Sequence, residues 1–453
     1  MSSPPANYSV FTFGGSAQVV RFDDAMHAFV ESVRLSLLSE ASTDLASRSS
    51  APAHDRFQHA RLLMYSHDTF GLGHLRRCRT IAHALVERFK GLHVLIVSGS
   101  PIAGAFDFRT RVDFLKIPSV IKLRSGEYTS LGDHTDVQET LALRRSLIRQ
   151  AAASFAPDLL IVDKEPLGLR GELEPTLLEL KSRGTTLVLG LRDVMDAPRL
   201  LAPEWARSDT LRKMDELYDK VWVYGPPDFH DPLTGLDVPA ALRRRVTWTG
   251  WLRREVPGPS PIYGAAPVAG GLLVTAGGGG DGERIMHQVL AALERNPDLI
   301  GPVEMVLGPF MKAEERDAVH RRAAALPALR LVDFDNRMEA RIAAAAGVVS
   351  MGGYNTFCEI LSLDKRALII PRVRPREEQL IRARRAERLG LIDMLMPEEA
   401  DDPAVMARAL RALAVRPRPS QTAYGCPLDG LDRIADEVHD IIAAREHAAA
   451  GRT

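Results

Sequence analysis

The chain has 453 residues, with 58 Lys and Arg residues against 58 Asp and Glu residues, so its formal net charge is zero. This length predicts two or three domains. The charge balance excludes an overall field that would attract nucleic acid or an anionic membrane. The three cysteines are widely spaced and odd in number, which argues against a disulfide framework or a cysteine-rich zinc site and indicates a reducing cytoplasm. They are Cys78, Cys358 and Cys426.

Residues 1–57 are predicted to be a partly disordered N-terminal extension. An amphipathic pattern near 24–40 predicts a short helix, and the small polar residues of 40–56 predict a linker. The N-terminus lacks a basic region followed by an apolar stretch, so it does not have the pattern of a secretory signal. No apolar run reaches the ~18 residues of a membrane-spanning helix. We assign no function to this segment.

Short apolar segments alternate with helical patterns in residues 58–255, which we predict to be the first domain. Strands that are apolar on both faces and alternate with helices indicate a parallel sheet covered by helices on both sides. The predicted strands are 61–66, 92–98, 112–118, 158–163, 185–191 and 220–225.

A stretch rich in Pro and Gly, residues 256–268, predicts the linker between two domains. The alternation then restarts in residues 269–426, and the last helical pattern lies in 427–453, where we expect a helix that packs back on the first domain. The predicted fold class is therefore α/β, with two Rossmann-like, doubly wound parallel sheets facing across a cleft.

The segment from His67 to His74 lies between the first strand of the first domain and a helix. Ligands bind at the carboxyl ends of strands in such sheets, and a helix N-terminus offers free N–H groups and positive partial charge. The dinucleotide fingerprint is absent, because Arg76 and Arg77 stand where a further glycine is expected. A purely structural turn explains this segment equally well.

Four consecutive glycines, Gly277, Gly278, Gly279 and Gly280, open the second domain after its first strand. Because glycine loses much conformational entropy on folding, such a run indicates backbone that approaches a ligand closely. No Gly-Lys-Ser/Thr follows, so the segment is not a P-loop.

A second glycine turn precedes a helix at Gly352 and Gly353. The helix N-terminus is suited to a diphosphate, and Glu359, one turn further on, is suited to accept hydrogen bonds from ribose hydroxyls. The alternative is structural, because Thr356 and Glu359 also have the spacing of a capping box.

The segment after the next apolar strand carries Arg372, Arg374 and Arg376, followed by Glu378 and Gln379. Arginines at a strand terminus are suited to neutralise a diphosphate, and the last two residues are suited to bind sugar hydroxyls. The alternative is the solvated start of a charged helix.

Together, the segments SHDTFGLGHLRRCRTIAHAL, PDLLIVDKEPLGLRGEL, LVLGLRDVMD, VYGPPDFHDP, MGGYNTFCEIL and PRVRPREEQLIRA resemble the GT-B glycosyltransferases. The resemblance spans about residues 60–440. It is strongest to a bacterial family of predicted glycosyltransferases related to the lipid-linked N-acetylglucosaminyltransferase of peptidoglycan synthesis.

The resemblance implies that the second domain binds a nucleotide-diphosphate sugar, with UDP as the expected nucleotide, and that it needs no further cofactor and no metal. It implies that the glycines contact the diphosphate, that Glu359 holds the ribose, and that Glu378 and Gln379 hold the sugar. The implied donor-binding residues are Gly277, Gly278, Gly279, Gly280, Phe334, Asp335, Gly352, Gly353, Asn355, Thr356, Glu359, Arg372, Glu378 and Gln379. Of these, Phe334 and Asp335 lie in the segment implied to bind the base.

The same resemblance implies that the first domain faces the acceptor, and that His74 or Asp68 is the general base of an inverting transfer. The acceptor-side residues are Gly71, Gly73, Lys164, Glu165, Arg192 and Asp193. For the last four, adjacent Lys–Glu and Arg–Asp ion pairs on the surface are an equal alternative. Asp281 departs from the family, because an acid there disfavours a diphosphate unless it points away.

The predicted activity is that of a hexosyl- or N-acetylhexosaminyl-type transferase acting on an unknown acceptor, a lipid or a glycan among the candidates. A nucleotide-sugar hydrolase or 2-epimerase, and a non-catalytic nucleotide-sugar-binding protein, are the alternatives. The sequence Asp333-Phe334-Asp335 spells a metal motif of a different glycosyltransferase architecture, and we interpret it as coincidence. Phe106 and Phe108 are candidates for peripheral contact with the inner face of a membrane, but a role in the core or at a domain surface is favoured. The sequence predicts no oligomeric state.

Overall fold

A computed structural model describes residues 8–13, 16–21, 56–67, 72–122, 128–130, 136–258, 266–278, 280–297, 299 and 301–450. The chain divides into two compact units, 1–55 and 56–453. In the first unit, strands β1 (Tyr8–Phe13) and β2 (Ser16–Arg21) form an antiparallel pair. The helix predicted near 24–40 lies outside the described residues.

The second unit begins with a parallel sheet. The strands in chain order are β3 (Arg56–Ser66), β4 (Lys90–Ser98), β5 (Val112–Lys116), β6 (Val120–Lys122), β7 (Tyr128–Ser130), β8 (Leu159–Asp163), β9 (Thr186–Arg192), β10 (Lys220–Tyr224) and β11 (Val246–Trp248). The sheet has the order β11-β10-β9-β8-β3-β4-β5, with every neighbouring pair parallel. Strands β6 and β7 form a separate antiparallel pair.

Helices connect these strands and cover both faces of the sheet. They are α1 (Gly73–Arg88), α2 (Val137–Phe155), α3 (Glu174–Ser182), α4 (Pro198–Arg207), α5 (Thr210–Leu217) and α6 (Ala240–Arg244), with 3₁₀ turns at Ala103–Ala105 and Leu169–Gly171. Successive residues of a strand face opposite sides of a sheet. Accordingly, Leu62 and Met64 of β3 lie in one core with α1, and Leu63 and Tyr65 lie in another with α2 and α3.

The second parallel sheet follows the linker. Its strands are β12 (Leu272–Thr275), β13 (Val303–Val306), β14 (Leu329–Val332), β15 (Gly347–Ser350), β16 (Arg366–Ile369) and β17 (Asp393–Met394). Its order is β14-β13-β12-β15-β16-β17, again parallel throughout. Both sheets therefore reverse direction beside their first strand, as doubly wound nucleotide-binding sheets do.

The helices of this half complete the chain. They are α7 (Glu283–Arg295), α8 (Ala313–Ala323), α9 (Met338–Ala344), α10 (Tyr354–Ser362), α11 (Glu378–Arg388), α12 (Pro403–Leu413) and α13 (Gly430–Ala450), with a 3₁₀ turn at Pro419–Gln421. Helix α13 returns to the first sheet, where Ile434 and Val438 join the core of α1 and β3. Its Glu437 accepts hydrogen bonds from Lys220 at 2.7 Å and from Trp222 at 3.3 Å.

The predicted fold, two Rossmann-like parallel sheets, is confirmed. The short edge strands β11 and β17 were not predicted, because two or three residues carry too little pattern to read. One apolar core runs across both halves, with Phe229, Trp251 and Phe357 in ring contact. Among the described residues, no helix has both the length and the hydropathy to cross a membrane.

Candidate active site

His74 and Asp163 lie together at the carboxyl edge of the first sheet, where the direction of winding changes between β3 and β8. His74 is in the first turn of α1, and its Nδ1 is 2.6 Å from Oδ2 of Asp163, the last residue of β8. Arg77 donates from Nε to the other oxygen of Asp163 at 2.9 Å. An acid on Nδ1 fixes the tautomer and leaves Nε2 of His74 as the proton acceptor.

Asp163 is ionised in this arrangement. Burial alone would raise the pKa of its carboxyl group, but the charge of Arg77 and the hydrogen bonds from His74 and Arg77 hold that pKa well below its usual value. Sequence reasoning missed Asp163 because 89 residues separate it from His74. The available signal was an acid at the end of an apolar strand. The other predicted base, Asp68, and Gly71 lie outside the described residues.

A second histidine, His67, lies beside this pair and was not predicted as a site residue. Its ring centroid is 5.6 Å from that of His74, edge to face. Burial lowers the pKa of His67 to about 3, so the ring is neutral at physiological pH. Behind it, Tyr65 donates from its hydroxyl to Glu172 at 2.6 Å, and buried Arg144 binds the same carboxylate.

Lys164 and Glu165 follow β8 and bind each other, with 2.6 Å between Nζ and Oε1. Burial would raise the pKa of Glu165, but the charge of Lys164 and its hydrogen bond lower that pKa well below its usual value. The adjacent Lys–Glu pair that the sequence allowed is therefore present, at the edge that carries His74.

The alternative of an ion pair between the adjacent residues Arg192 and Asp193 is wrong, because each residue binds a partner in the other half. Asp193 is 0% exposed and accepts from Arg382 of α11 at 2.6 Å and from Trp251 at 3.2 Å. A buried carboxylate with both oxygens occupied cannot contact an acceptor, so the acceptor-side prediction for Asp193 is corrected to a structural one. Arg192 binds Glu378 across the same boundary.

Helix α10 begins at Tyr354 and has Gly353 as its N-cap, with no side-chain cap. The capping-box alternative for Thr356 and Glu359 is therefore wrong, because both residues lie inside the helix, and Thr356 is buried. Gly352 has φ +71°, a left-handed conformation that glycine adopts without strain.

Asn355 in the first turn of α10 joins the two halves. Its Nδ2 donates to the carbonyl oxygen of Gly73 at 3.0 Å, and its Oδ1 accepts from Arg254 at 2.8 Å. The predicted acceptor-side Gly73 and the predicted donor-side Asn355 are thus brought into contact, one residue from His74.

Glu359 also faces the first half. It is 1% exposed and binds Arg76 of α1, which donates at 2.9 Å to Glu339 as well. Burial raises the pKa of Glu359 to about 7, against the lowering effect of Arg76. Its Oε2 is buried without a hydrogen-bond partner among the described residues. The carboxylate predicted to hold the ribose is thus held by Arg76, with one oxygen unsatisfied.

The glycine loop after β12 lies at the carboxyl edge of the second sheet. Gly277 has φ +65°, and the carbonyl oxygen of Gly278 accepts from the backbone of Phe310 at 3.0 Å. Gly280 is described, whereas Gly279 lies outside the described residues. Asp281 turns toward Arg372, which donates to it at 2.7 Å, so this acid is neutralised.

Arg372 links the predicted sugar-binding residues. Its Nη2 is 3.1 Å from Glu378, and its backbone N–H donates to Oε1 of Gln379 at 2.9 Å. Burial would raise the pKa of Glu378, but Arg192 and Arg372 hold it well below its usual value. These side chains form one charged group at the boundary between the halves.

The residues predicted to bind the base of the nucleotide lie after β14. Phe334 is half-buried, and Asp335 accepts from Arg341 at 2.5 Å and from the backbone of Arg337 at 2.7 Å. Asp333 instead contacts His320 at 2.9 Å. The two acids of the Asp-x-Asp sequence therefore have separate partners.

Phe106 is not exposed to solvent, so its ring is not available for contact with a membrane in this structure. It is buried in the core under Arg79, whose guanidinium lies 5.6 Å from the ring centroid. Phe108 stacks on Phe114 at 4.8 Å between ring centroids. The favoured core position is confirmed for Phe106.

Comparisons with known proteins bear on the fold and on the C-terminal half. Residues 273–421 match the model of the glycosyltransferase family 28 C-terminal domain. No curated protein sequence matches the chain.

Among solved structures, the chain is similar to a UDP-glucosyltransferase from Polygonum tinctorium capable of glucosylating indoxyl, with 16% identity, a TM-score of 0.56, and coverage of 87% of this chain and 100% of the other. It is similar to CalG4, the calicheamicin glycosyltransferase, with 17% identity, a TM-score of 0.54, and coverage of 85% and 99%. A third is a UGT transferase from Siraitia grosvenorii in complex with UDP, with 15% identity, a TM-score of 0.51, and coverage of 84% and 100%. At these identities the likeness shows the fold.

Proposed function

We propose that this chain, a GT-B glycosyltransferase by fold and by its family 28 C-terminal domain, transfers a sugar from a UDP-linked donor to an acceptor hydroxyl with inversion. The observation that carries the proposal is the His74–Asp163 pair at the edge of one sheet, next to the start of α10 on the other. The UDP in the names of similar structures supports the choice of nucleotide.

The acceptor is activated by His74 in this proposal. Ionised Asp163 keeps the proton on Nδ1, so that Nε2 takes the proton of the acceptor hydroxyl as its oxygen attacks the anomeric carbon. The bond from that carbon to the β-phosphate oxygen breaks in the same step, and UDP leaves. Buried Arg77 holds Asp163 from the other side, so the base keeps its orientation.

The leaving diphosphate carries negative charge, which positive groups of the protein would stabilise without a metal. The N–H groups at the start of α10 and the side chain of Asn355 lie at the boundary between the halves. Arg372 adds a guanidinium at the neighbouring strand end. Glu359 is proposed to hold the ribose, and Glu378 with Gln379 a hexosyl or N-acetylhexosaminyl unit.

Donor binding requires some interhalf contacts to separate. Arg76 occupies one oxygen of Glu359, and Gly73 and Arg254 occupy both polar groups of Asn355. We therefore propose that these contacts between the halves separate when the donor binds. Hinge and shear motions between two domains are a common way to rearrange the contacts around a ligand site.

The test is whether release of UDP from a UDP-sugar depends on an acceptor. Purified protein is incubated with UDP-glucose or UDP-N-acetylglucosamine, with and without a panel of lipid, glycan and small-molecule acceptors, and UDP is quantified. Acceptor-dependent release that disappears in His74→Ala supports the transfer. Release at the same rate into water alone would assign a hydrolase or 2-epimerase instead, and no release with any acceptor would leave only nucleotide-sugar binding.

A further inference from the structure

A cavity of about 470 Å³ lies at the carboxyl edge of the second sheet, beside the proposed donor site. Its walls come from the start of α7, from the residues that follow β15 and β16, and from the segment after β17. Arg372 lines it, but Asn355, Glu359 and Glu378 do not. Its volume is in the range of small-molecule sites, ~300–1,000 Å³.

One wall holds an unsatisfied hydrogen-bond acceptor. Gln288 is 5% exposed, and its Nε2 donates to the carbonyl oxygen of Pro397 and to Asp401, both at 2.7 Å. These two bonds fix the amide and leave Oε1 buried, with no partner among the described residues. Burying such an acceptor is unfavourable unless a donor reaches it. A ligand hydroxyl would be such a donor.

Two arginines, Arg372 and Arg374, also line the cavity. Arg372 binds Asp281 and Glu378 through its two Nη atoms, and its Nε is buried without a partner in the described part of the chain. Arg374, two residues on, is exposed and makes no ion pair with any described residue. Two acids, Asp281 and Glu398, also line the cavity, and Arg372 already binds two carboxylates. The guanidinium that remains for a carboxylate or a phosphate is therefore that of Arg374.

Apolar side chains complete the lining. Met351 and Ile370, which follow the strands β15 and β16, both line the cavity and are buried. The carbon face of a sugar ring packs well on such side chains, whereas a bare inorganic anion makes no use of them. The combination of acceptor, cations and apolar surface selects a hydroxylated ligand with a negative group.

We propose that this cavity binds a sugar that carries a carboxylate or a phosphate. The anionic group binds Arg374, a hydroxyl donates to Oε1 of Gln288, and the ring packs on Met351. Two sources share this chemistry: the acidic sugar of the donor itself, which rests on the proposed function, and a free sugar phosphate. Because Arg372 also binds Glu378, either occupant lies one side chain from the proposed sugar-binding residues.

The experiment is isothermal titration calorimetry of the full chain with UDP, UDP-glucose, UDP-glucuronic acid, glucose and glucose 6-phosphate. The variant is Arg374→Gln, whose side chain is exposed and has no ion-pair partner among the described residues. The matched control is Arg384→Gln, which removes the same charge from an exposed position of α11 outside the cavity.

If the donor is the source, UDP-glucuronic acid binds at least about tenfold more tightly than UDP-glucose, and Arg374→Gln removes this preference while Arg384→Gln keeps it. If a free ligand is the source, glucose 6-phosphate binds the UDP-saturated protein and glucose does not. The variant Arg374→Gln then lowers the affinity for glucose 6-phosphate by about tenfold. In either case Gln288→Met, checked for an unchanged melting temperature, weakens the ligand that binds.

The proposal is overturned if neither anionic probe binds better than its neutral counterpart, or if Arg374→Gln and Arg384→Gln behave alike. The UDP titration keeps the two proposals separate. Binding of UDP without any preference for an anionic sugar overturns the cavity proposal alone. Absence of UDP binding in every protein counts against the proposed function, while glucose 6-phosphate still tests the cavity.

Discussion

The two sheet edges that form the candidate site differ in where their side chains find partners. In the first half, His74, Asp163 and Arg77 bind one another within a single domain. In the second half, Glu359 and Asn355 bind residues of the opposite half. The proposed base is therefore organised before any substrate arrives, whereas the proposed donor residues become available only when contacts between the halves are broken.

The largest effect is expected from His74→Ala, which removes the proposed general base of the first half. General-base catalysis contributes about 10²- to 10⁴-fold, so the turnover number should fall by that factor while the affinity for UDP changes little. Steady-state transfer kinetics and UDP titration measure the two effects. His93→Ala, at an exposed position of β4, is the control. Unchanged turnover in His74→Ala would remove this residue from the mechanism.

The boundary between the halves should depend on the buried Asp193–Arg382 ion pair. Asp193→Asn leaves Arg382 buried with a weaker partner, so the free energy of unfolding should fall by about 3–5 kcal/mol. The pair Arg199–Glu377 also spans the boundary but is exposed, and Glu377→Gln should cost less than about 1 kcal/mol. Urea denaturation of both variants measures the difference, and equal losses would show that burial of the pair does not matter.

A pH dependence of stability is expected from His67. Its pKa of about 3 in the folded chain lies below the ~6.5 of an unfolded histidine, so the unfolded state binds the proton more tightly. The contribution is present above pH 6.5 and is lost as the pH falls toward 3. At pH 5 the loss from this group is about 2 kcal/mol.

The variant His67→Gln should accordingly lose less stability between pH 7 and pH 5 than the wild type does. His93→Gln, at an exposed site, should follow the wild type. Burial also lowers the pKa of His83 to about 3, which adds a loss in the same direction to all three proteins. Urea denaturation at the two pH values tests this, and parallel losses in His67→Gln and wild type would contradict a buried neutral His67.

The smallest effect is expected in the second half, where the proposed donor residues bind side chains of the first half. Because Arg76 competes with the ribose for Glu359, Arg76→Ala should tighten the binding of UDP by roughly fivefold, or about 1 kcal/mol. Arg88→Ala, at the other end of α1, is the control. Calorimetry decides the sign: weaker binding in Arg76→Ala would mean that Arg76 contacts the nucleotide rather than blocks it.

The sequence predicted the elements of the site better than their partners. Strand, glycine turn and helix are local patterns, so the positions of His74, Gly277, Gly352 and α10 were accessible without a structure. Asp163 contacts His74 and Arg77 only because the order of strands in the sheet brings β8 beside β3, whereas His74 and Arg77 are three residues apart on α1. The Arg76–Glu359 pair spans 283 residues and depends on how the halves meet. No local pattern encodes such a contact.

Hydrogen exchange of the full chain with and without saturating UDP tests the central claim most directly. The account predicts slower exchange at the start of α10 and in the described part of the glycine loop after β12, where UDP would bind. It also predicts faster exchange at the start of α1, where the contact of Gly73 with Asn355 would be released. Unchanged exchange in all three segments at saturating UDP would contradict it.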